Sequence, residues 1–351
     1  MLHAALIGFP ASGKSTLFQL MTSTQESPRS KGDIAIGISK VPDTRLDVLC
    51  DIYNPKKRAP ATVEFTDILT MARGGTQSLV DVASYRNADA LVHVVRAFRD
   101  HSVPHPSGSI DPVRDAQAME DELLLADLGV IERRLERLAK DLKRSYSNEL
   151  EHEQQLVQRC RAALEEGTPL RALEMTNADL KQLRGFQLLS AKPLLLVINL
   201  DEKDLTDVGV NIEKVADRTG LTKFLARAAT TAVAVCGKIE LEIAQLESSD
   251  ASVFLKDLGL NESGLDRVIQ TSYDLLGYLS FFTVGEDECR AWSIPKNTPA
   301  QIAAREIHSD ISRGFIRAEV VDYKSLSSRG SMSLCREHGE VRLEGKEYTV
   351  K

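Results

Sequence analysis

The sequence predicts an α/β fold: a parallel sheet flanked by helices, interrupted by a helical insertion and followed by a small α+β domain. Three observations carry this prediction. Residues 8–15 read Gly8-Phe9-Pro10-Ala11-Ser12-Gly13-Lys14-Ser15, a complete phosphate-binding loop. Short, continuous apolar runs recur between helical stretches, as in strands buried on both faces of a parallel sheet. A charged stretch with a heptad seam lies between two of these runs.

Composition narrows the class. The 351 residues suffice for two or three domains. With 42% hydrophobic and 27% charged residues, the chain reads as an ordinary soluble globular protein. A net charge of −7 sets up no global field that favours nucleic acid, although a local basic face stays open. The five cysteines (Cys50, Cys160, Cys236, Cys289 and Cys335) are dispersed without a C-x-x-C pair. That pattern argues against a disulfide framework or a zinc site and suits a reducing compartment. The first residues already read as a core strand, so no signal peptide is expected. No apolar run approaches the ~18 residues needed to cross a bilayer. The expectation is a cytoplasmic protein with no membrane partner, and a monomer rather than an oligomer.

The elements follow in order. Leu2 to Ile7 reads as a buried strand, and Thr16 to Met21 as the helix whose positive N-terminus faces an anion held by the loop. Ala61 to Thr66 and Ala90 to Val95 read as further strands. Asp111-Pro112 suits a helix start, because Asp caps and Pro fits the first turn. Leu128, Ile131, Leu135, Leu138 and Leu142 then alternate at steps of three and four, which is a heptad seam. Ser145 to Asn148 is a break, and Leu150, Val157 and Leu164 are seam positions of a second helix. Two readings stay open: an antiparallel coiled-coil arm, or two helices packed flat on the sheet. Pro193 to Ile198 and Ala232 to Val235 resume the buried strands, so the insertion interrupts a single nucleotide-binding domain. Phe281 to Val284, Cys289 to Ile294 and Ile316 to Val321 are short strands around a helix at Ala300 to Ser312. The expected domains are 1–110 with 190–277, the insertion 111–189, and 278–351.

The loop defines the chemistry. Its glycines let backbone N–H groups curl around a phosphate chain, Lys14 reaches the β/γ-phosphates, and the Ser15 hydroxyl suits Mg²⁺. Base selection belongs to the ends of later strands. The strand at Leu194–Ile198 ends in Asn199-Leu200-Asp201-Glu202. Guanine-specific proteins place Asn-Lys-x-Asp there, whereas here Leu200 and Glu202 replace Lys and Asp. The longer carboxylate crowds guanine and cannot donate to adenine N1, so guanine selection should be weak. The alternative for Asn199 and Glu202 is a solvated loop after a buried strand. Cys236-Gly237 follows the strand at Ala232–Val235, where backbone N–H groups would flank the base.

At these residues the chain resembles the YchF/Obg-like ATPases, a branch of the translation-factor-related P-loop GTPases. The likeness covers nearly the whole sequence. It includes Val41-Pro42-Asp43-Thr44-Arg45-Leu46, Pro55 to Phe65, Asp111-Pro112-Val113-Arg114-Asp115 and Ala191-Lys192-Pro193. It is most specific at Arg290-Ala291-Trp292, Ile307-His308-Ser309-Asp310 and Arg313 to Val320. The resemblance implies a P-loop NTPase with a Ras-like G domain, a helical coiled-coil insertion and a C-terminal TGS-like β-grasp domain. It also implies a claw-like shape, binding of ATP as well as GTP through Asn199-x-x-Glu202, and links to the ribosome or RNA.

Site residues carry over unevenly. Gly8, Phe9, Pro10, Ala11, Ser12, Gly13, Lys14, Ser15 and Thr16 match the nucleotide-binding loop, with Ala11-Ser12 where Asn-Val is usual. Asp67 matches the Asp that helps to hold Mg²⁺ with Ser15. Thr70 stands at the position of the switch glycine, and Met71 follows it. The Gly-rich loop shortens to Gly74-Gly75-Thr76-Gln77, and Lys31 stands near the place of a Mg²⁺-ligating Thr. Thr22 and Thr24 are weak substitutes, and Arg29 or Lys31 either neutralises phosphate or is simply solvated. His105 matches a loop His linked to hydrolysis, against the alternative of an exposed loop His. Phe98 packs either on the base or ribose or on the sheet edge. His308, Arg313 and Arg317 either form an RNA-facing patch or, with Asp310 and Glu319 between them, a mixed solvated surface. Relatives continue past Lys351 for one more strand, so the β-grasp sheet is expected to lack its last strand.

Two functions follow from this pattern: a slow nucleoside triphosphatase switch near the translation machinery, or an eroded nucleotide-binding scaffold that engages a protein or RNA without hydrolysis. A small-molecule kinase is disfavoured, because no acceptor-site signature is present.

Overall fold

The structure, a computed structural model, describes residues 2–23, 34–68 and 85–351. The chain begins with β1 (Leu2–Ile7), α1 (Lys14–Thr22), β2 (Ile34–Lys40), α2 (Thr44–Tyr53), β3 (Lys57–Ala59), β4 (Thr62–Ile68) and β5 (Ala90–Arg96). Next come α3 (Pro112–Arg144), α4 (Asn148–Glu165), α5 (Asn177–Leu183), β6 (Leu194–Asn199), α6 (Glu202–Val208), α7 (Ile212–Thr219), α8 (Thr222–Leu225) and β7 (Thr230–Val235). The rest is α9 (Gly237–Ile243), α10 (Ser248–Asp257), α11 (Gly264–Leu275), β8 (Tyr278–Thr283), β9 (Glu288–Pro295), α12 (Ala300–Ile307), α13 (Ser309–Arg313), β10 (Ala318–Val320), α14 (Tyr323–Arg329), α15 (Met332–Glu337) and β11 (Arg342–Glu344).

Six strands form one sheet in the order β2-β4-β1-β5-β6-β7. β1, β5, β6 and β7 run parallel, with Ile7 opposite His93, Val94 opposite Val197 and Val197 opposite Val233. β5 and β6 are buried at every position, as their apolar runs require of central strands covered on both faces.

The chain divides into two compact units, Leu2–Gly37 with Glu64–Leu275, and Ile38–Val63 with Leu276–Lys351. Sequence reasoning assigns Ile38–Val63 to the nucleotide-binding domain, whereas the fold packs it with the C-terminal region. The reason is pairing: β3 joins β9 in parallel, with Arg58 opposite Cys289, and Leu49 on α2 packs with Leu326 and Cys335.

In the first unit one core runs through the sheet and its helices, with Leu91, Val95, Leu196 and Ile198 from the strands and Met119 and Leu123 from α3. α3 starts where the sequence predicts. The Asp111 carboxylate accepts from the Arg114 N–H at 3.0 Å, and Pro112 occupies the first turn. Ser147 caps α4. The two open readings of this segment apply to different ends of it. The near end of α3 packs on the sheet, while Leu124, Ile131 and Leu138 pack with Val157, Cys160 and Leu164 of α4. Arg134 clamps Glu153 with two bonds of 2.6 and 2.7 Å across this helical hairpin. Its root is fixed by buried ion pairs. Arg171 donates to both oxygens of Glu120 at 2.7 Å. Asp127 accepts from the Leu189 and Ser190 N–H groups at 2.9 and 2.7 Å and from Arg86 at 3.2 Å.

In the second unit β8 and β9 pair antiparallel, with Phe282 opposite Ala291, and β10 pairs with β11. Among the described residues these strands form two sheets, β3-β9-β8 and β10-β11, where a single β-grasp sheet short of one strand was expected. The helix expected over Ala300–Ser312 breaks at His308, whose backbone is extended. Small apolar clusters lie around Leu49, Leu326 and Cys335 and around Ala300, Ala304 and Phe315. Members of both line a cavity of about 710 Å³.

Candidate functional site: the phosphate-binding loop

The loop between β1 and α1 has the backbone that a phosphate cradle needs. Gly8 and Gly13 take φ of 152° and 91°, values open to glycine. A Cβ on Gly8 would meet the Val94 carbonyl at 2.7 Å, and one on Gly13 would meet Asn199 Nδ2 at 2.5 Å, so both glycines are also needed for close approach. Ala11 takes φ 65°, a left-handed conformation that costs a non-glycine residue about 1–2 kcal/mol. No side chain caps α1, so the N–H groups of its first turn, including Thr16, stay available to an anion.

Lys14 and Ser15 converge on Asp67 at the end of β4. The buried Lys14 ammonium pairs with Asp67 and donates to the Ile68 carbonyl at 3.0 Å, and Ser15 Oγ donates to Asp67 Oδ2 at 2.8 Å. The loop's lysine is thus ion-paired with the carboxylate beside it. Ser15 Oγ and the Asp67 carboxylate are hard oxygen donors, the set that Mg²⁺ takes when phosphates and water complete its shell. Among the described residues no group of three or more His, Cys, Asp and Glu side chains could hold a metal unaided.

The ends of β6 and β7 lie beside the loop. Asn199 is buried, not in a solvated loop as one reading had it. Its Nδ2 donates to the Ser12 carbonyl at 3.0 Å, and its Oδ1 accepts from the Gly237 N–H at 2.9 Å. This one side chain holds two of the expected segments together. Glu202 is exposed and pairs with Lys238 at 2.8 Å. The side chains of Leu200 and Cys236 turn into the hydrophobic core, so neither faces a base; burial pushes the Cys236 thiol up.

The β5–α3 connection brings three further groups. The Arg96 guanidinium lies 4.4 Å from the centroid of the Phe98 ring, so Phe98 packs on a buried cation. His105 is not an exposed loop histidine, since its side chain is 4% exposed. Its Nδ1 accepts from the Ser107 N–H at 3.1 Å, which leaves the proton on Nε2, 2.8 Å from Asp115 Oδ2 on α3. Both ring nitrogens are engaged. His93, Ser12, Arg96, His105 and Asp115 line a small pocket with Phe9 and Pro10. Burial first, and the charge of Arg171 second, push His93 down to about 3. Sequence reasoning missed Arg96 and Asp115. The available signal was a cation closing an otherwise apolar strand, and an acid one turn into a helix already capped by Asp111.

Other expected positions separate from this site. Thr22 donates its hydroxyl to the Phe18 carbonyl at 2.8 Å and is buried. His308 and Arg313 each lie 3.6 Å from Asp310, and Glu319 pairs with Arg336 at 2.9 Å, the mixed surface rather than a basic patch. Thr24, Arg29, Lys31, Thr70, Met71 and Gly74 to Gln77 lie outside the described residues.

A glycine-shaped loop leading into an uncapped helix, with a Lys–Asp–Ser cluster at its mouth, defines a P-loop nucleotide-binding protein. Comparison with known proteins refines that class. The Ribosome-binding ATPase YchF of Bacillus subtilis (strain 168) is 40% identical over 358 residues, covering 100% of this chain and 96% of the relative. Its counterpart from Escherichia coli O157:H7 is 33% identical, covering 99% and 95%. The solved structure of the Schizosaccharomyces pombe YchF GTPase matches with a TM-score of 0.84 and 30% identity, over 100% and 95% of the two chains. Residues 278–351 match the family profile YchF-GTPase_C, described as "Protein of unknown function (DUF933)". The chain belongs to the YchF family.

Proposed function

We propose that this protein binds ATP and GTP at the Gly8–Thr16 loop, hydrolyses them slowly and acts in association with the ribosome. The observation that carries nucleotide binding is the loop itself, with Gly8 and Gly13 in conformations and contacts that exclude a side chain. Ribosome association rests on relatives named as ribosome-binding ATPases that align along the whole chain.

Lys14 would leave Asp67 for the β/γ-phosphates, freeing the carboxylate. Ser15 and Asp67 would then hold Mg²⁺, the latter through water, and the ion supplies charge neutralisation for the phosphates. Asn199 fixes the loop, and the Cys236–Gly237 backbone flanks the base. Glu202 replaces the aspartate that reads guanine, so both purines are accepted. A position in the cytoplasm agrees with the ribosome reading. Among the described residues no helix is long and apolar enough to cross a membrane.

Weak hydrolysis follows from His105. Both of its ring nitrogens are occupied, so it acts on an attacking water only after leaving Asp115. That observation also favours the second reading, a nucleotide-binding scaffold without turnover that engages a protein or RNA.

Titration with labelled ATP and GTP tests the binding claim. Lys14→Ala should weaken both by about 100-fold or more, the loss of roughly two charge-assisted phosphate contacts. Unchanged affinity would sink the assignment. Single-turnover hydrolysis separates the two readings. Co-sedimentation with ribosomes across a salt series tests the partner, because phosphate contacts weaken steeply with ionic strength.

A further inference from the structure

Arg96 closes β5 and is 2% exposed. Among the described residues it forms no ion pair. Its guanidinium instead donates to four backbone carbonyls: Val103 at 2.9 Å, Asp100 at 3.2 Å, Phe98 at 3.3 Å and Ala11 at 3.3 Å. A buried cation hydrogen-bonded only to neutral carbonyls, with the Phe98 ring against its face, carries a desolvation cost that a leucine would avoid. The fork geometry of arginine explains what is gained, because one planar group can hold several backbone segments at once.

Three of those carbonyls order the segment that leads to His105. The fourth belongs to the phosphate loop, at its one non-glycine residue with positive φ. Gly8 and Gly13 adopt their conformations without penalty, but Ala11 does not. Its conformation therefore needs an external hold, and the Arg96 bond to its carbonyl supplies one.

We infer that Arg96 is a positioning residue for nucleotide binding, which keeps the phosphate loop in its binding conformation through the carbonyl of Ala11. It touches no nucleotide in this role. The inference rests on nucleotide binding at the loop and adds a residue to which neither the loop pattern nor the base-reading strand ends point.

A double-mutant cycle tests it. ATP affinity is measured by equilibrium titration for the wild type, Arg96→Met, Ala11→Gly and the double variant, with a thermal melt of each nucleotide-free protein. Arg96→Met should weaken binding about tenfold against the wild type, and Ala11→Gly supplies the reference affinity for the double variant. The double variant should return to within about threefold of Ala11→Gly, because glycine takes that φ without the penalty Ala11 carries. Melting temperature should not follow that recovery, since the carbonyls of Phe98, Asp100 and Val103 stay unsatisfied in both variants that lack Arg96. If Arg96→Met does not yield folded protein, Arg96→Lys in the same cycle reads the same coupling, with one nitrogen in place of the fork. Wild-type affinity in the Arg96 variant, or an equal loss of about tenfold from Arg96→Met in the Ala11→Gly background, would overturn the inference alone. A wild-type chain that binds no nucleotide would overturn the nucleotide reading, and the inference with it.

Discussion

The two units solve the problem of burying a sheet in different ways. In the first, β5 and β6 are covered on both faces, a continuous core links the sheet to its helices, and a second cluster fills the helical hairpin. In the second, most residues of β8 and β9 are half-buried, the described strands fall into two sheets, and the small clusters around Leu49 and Phe315 border an open pocket of about 710 Å³. Dense packing makes a core sensitive to each methylene, whereas side chains that line an open pocket have fewer contacts to lose. The first unit should therefore behave as a rigid platform for the phosphate loop. The second should open at lower free energy, as seen by hydrogen exchange.

Truncations should show the largest contrast. Leu196→Ala, at a fully buried site on β6, should cost about 4 kcal/mol, toward the top of the range for buried leucines. Leu326→Ala, beside the cavity, should cost about 2 kcal/mol, at the bottom of that range. Urea unfolding followed by probes in each unit checks both, and equal costs would erase the distinction.

Acid should act on the first unit through His93. Its folded value of about 3 lies below the ordinary value of roughly 6.5. Between those two pH values the unfolded chain binds a proton that the folded chain refuses, so stability falls as pH falls, by about 1.4 kcal/mol per unit. At pH 5 the loss from this group should be about 2 kcal/mol relative to neutral pH. Asp127, Glu240 and Asp266 are raised by burial and act in the opposite sense, so the measurement is a difference. The drop in unfolding free energy from pH 7 to pH 5 should be smaller by that amount in His93→Gln than in the wild type.

Filling the pocket is the smallest test and the one whose sign differs between units. Ala303→Leu adds bulk at a cavity-lining site and should stabilise by up to about 1 kcal/mol. Ala234→Leu adds the same bulk within the first unit's core and should destabilise by about 1–3 kcal/mol. Thermal melts of the two variants should therefore move in opposite directions.

Much of this architecture was legible because it is local. The apolar runs at Ala90–Val95 and Leu194–Ile198 became central strands, and Asp111-Pro112 and Ser147 mark helix starts by side chain–backbone bonds within a few residues. The glycines of the loop announced their conformation. What was not legible depends on distant pairing. Lys56 and Asp287, 231 positions apart, meet where β3 joins β9, and no local pattern ties Ile38–Val63 to the C-terminal unit. Leu200 was read by its place in a motif, but its side chain follows the apolar pattern and enters the core. His105 gave no sign of its acceptor, because Asp115 lies across a loop on α3 and only folding brings the two within 2.8 Å.

The helical hairpin is a cantilever. Its fixed end is the stretch from Asp115 to Asp127, where His105, Arg171 and Arg86 grip α3 from three directions. From Asp127 to Arg144 the helix extends for about 25 Å at 1.5 Å per residue, braced by α4. A tilt of about five degrees at the root would carry the tip roughly 2 Å over that length. One clamp of that root, His105, comes from the loop that Arg96 ties to the phosphate cradle, so a tilt imposed there would reach the tip enlarged by the length of the helix.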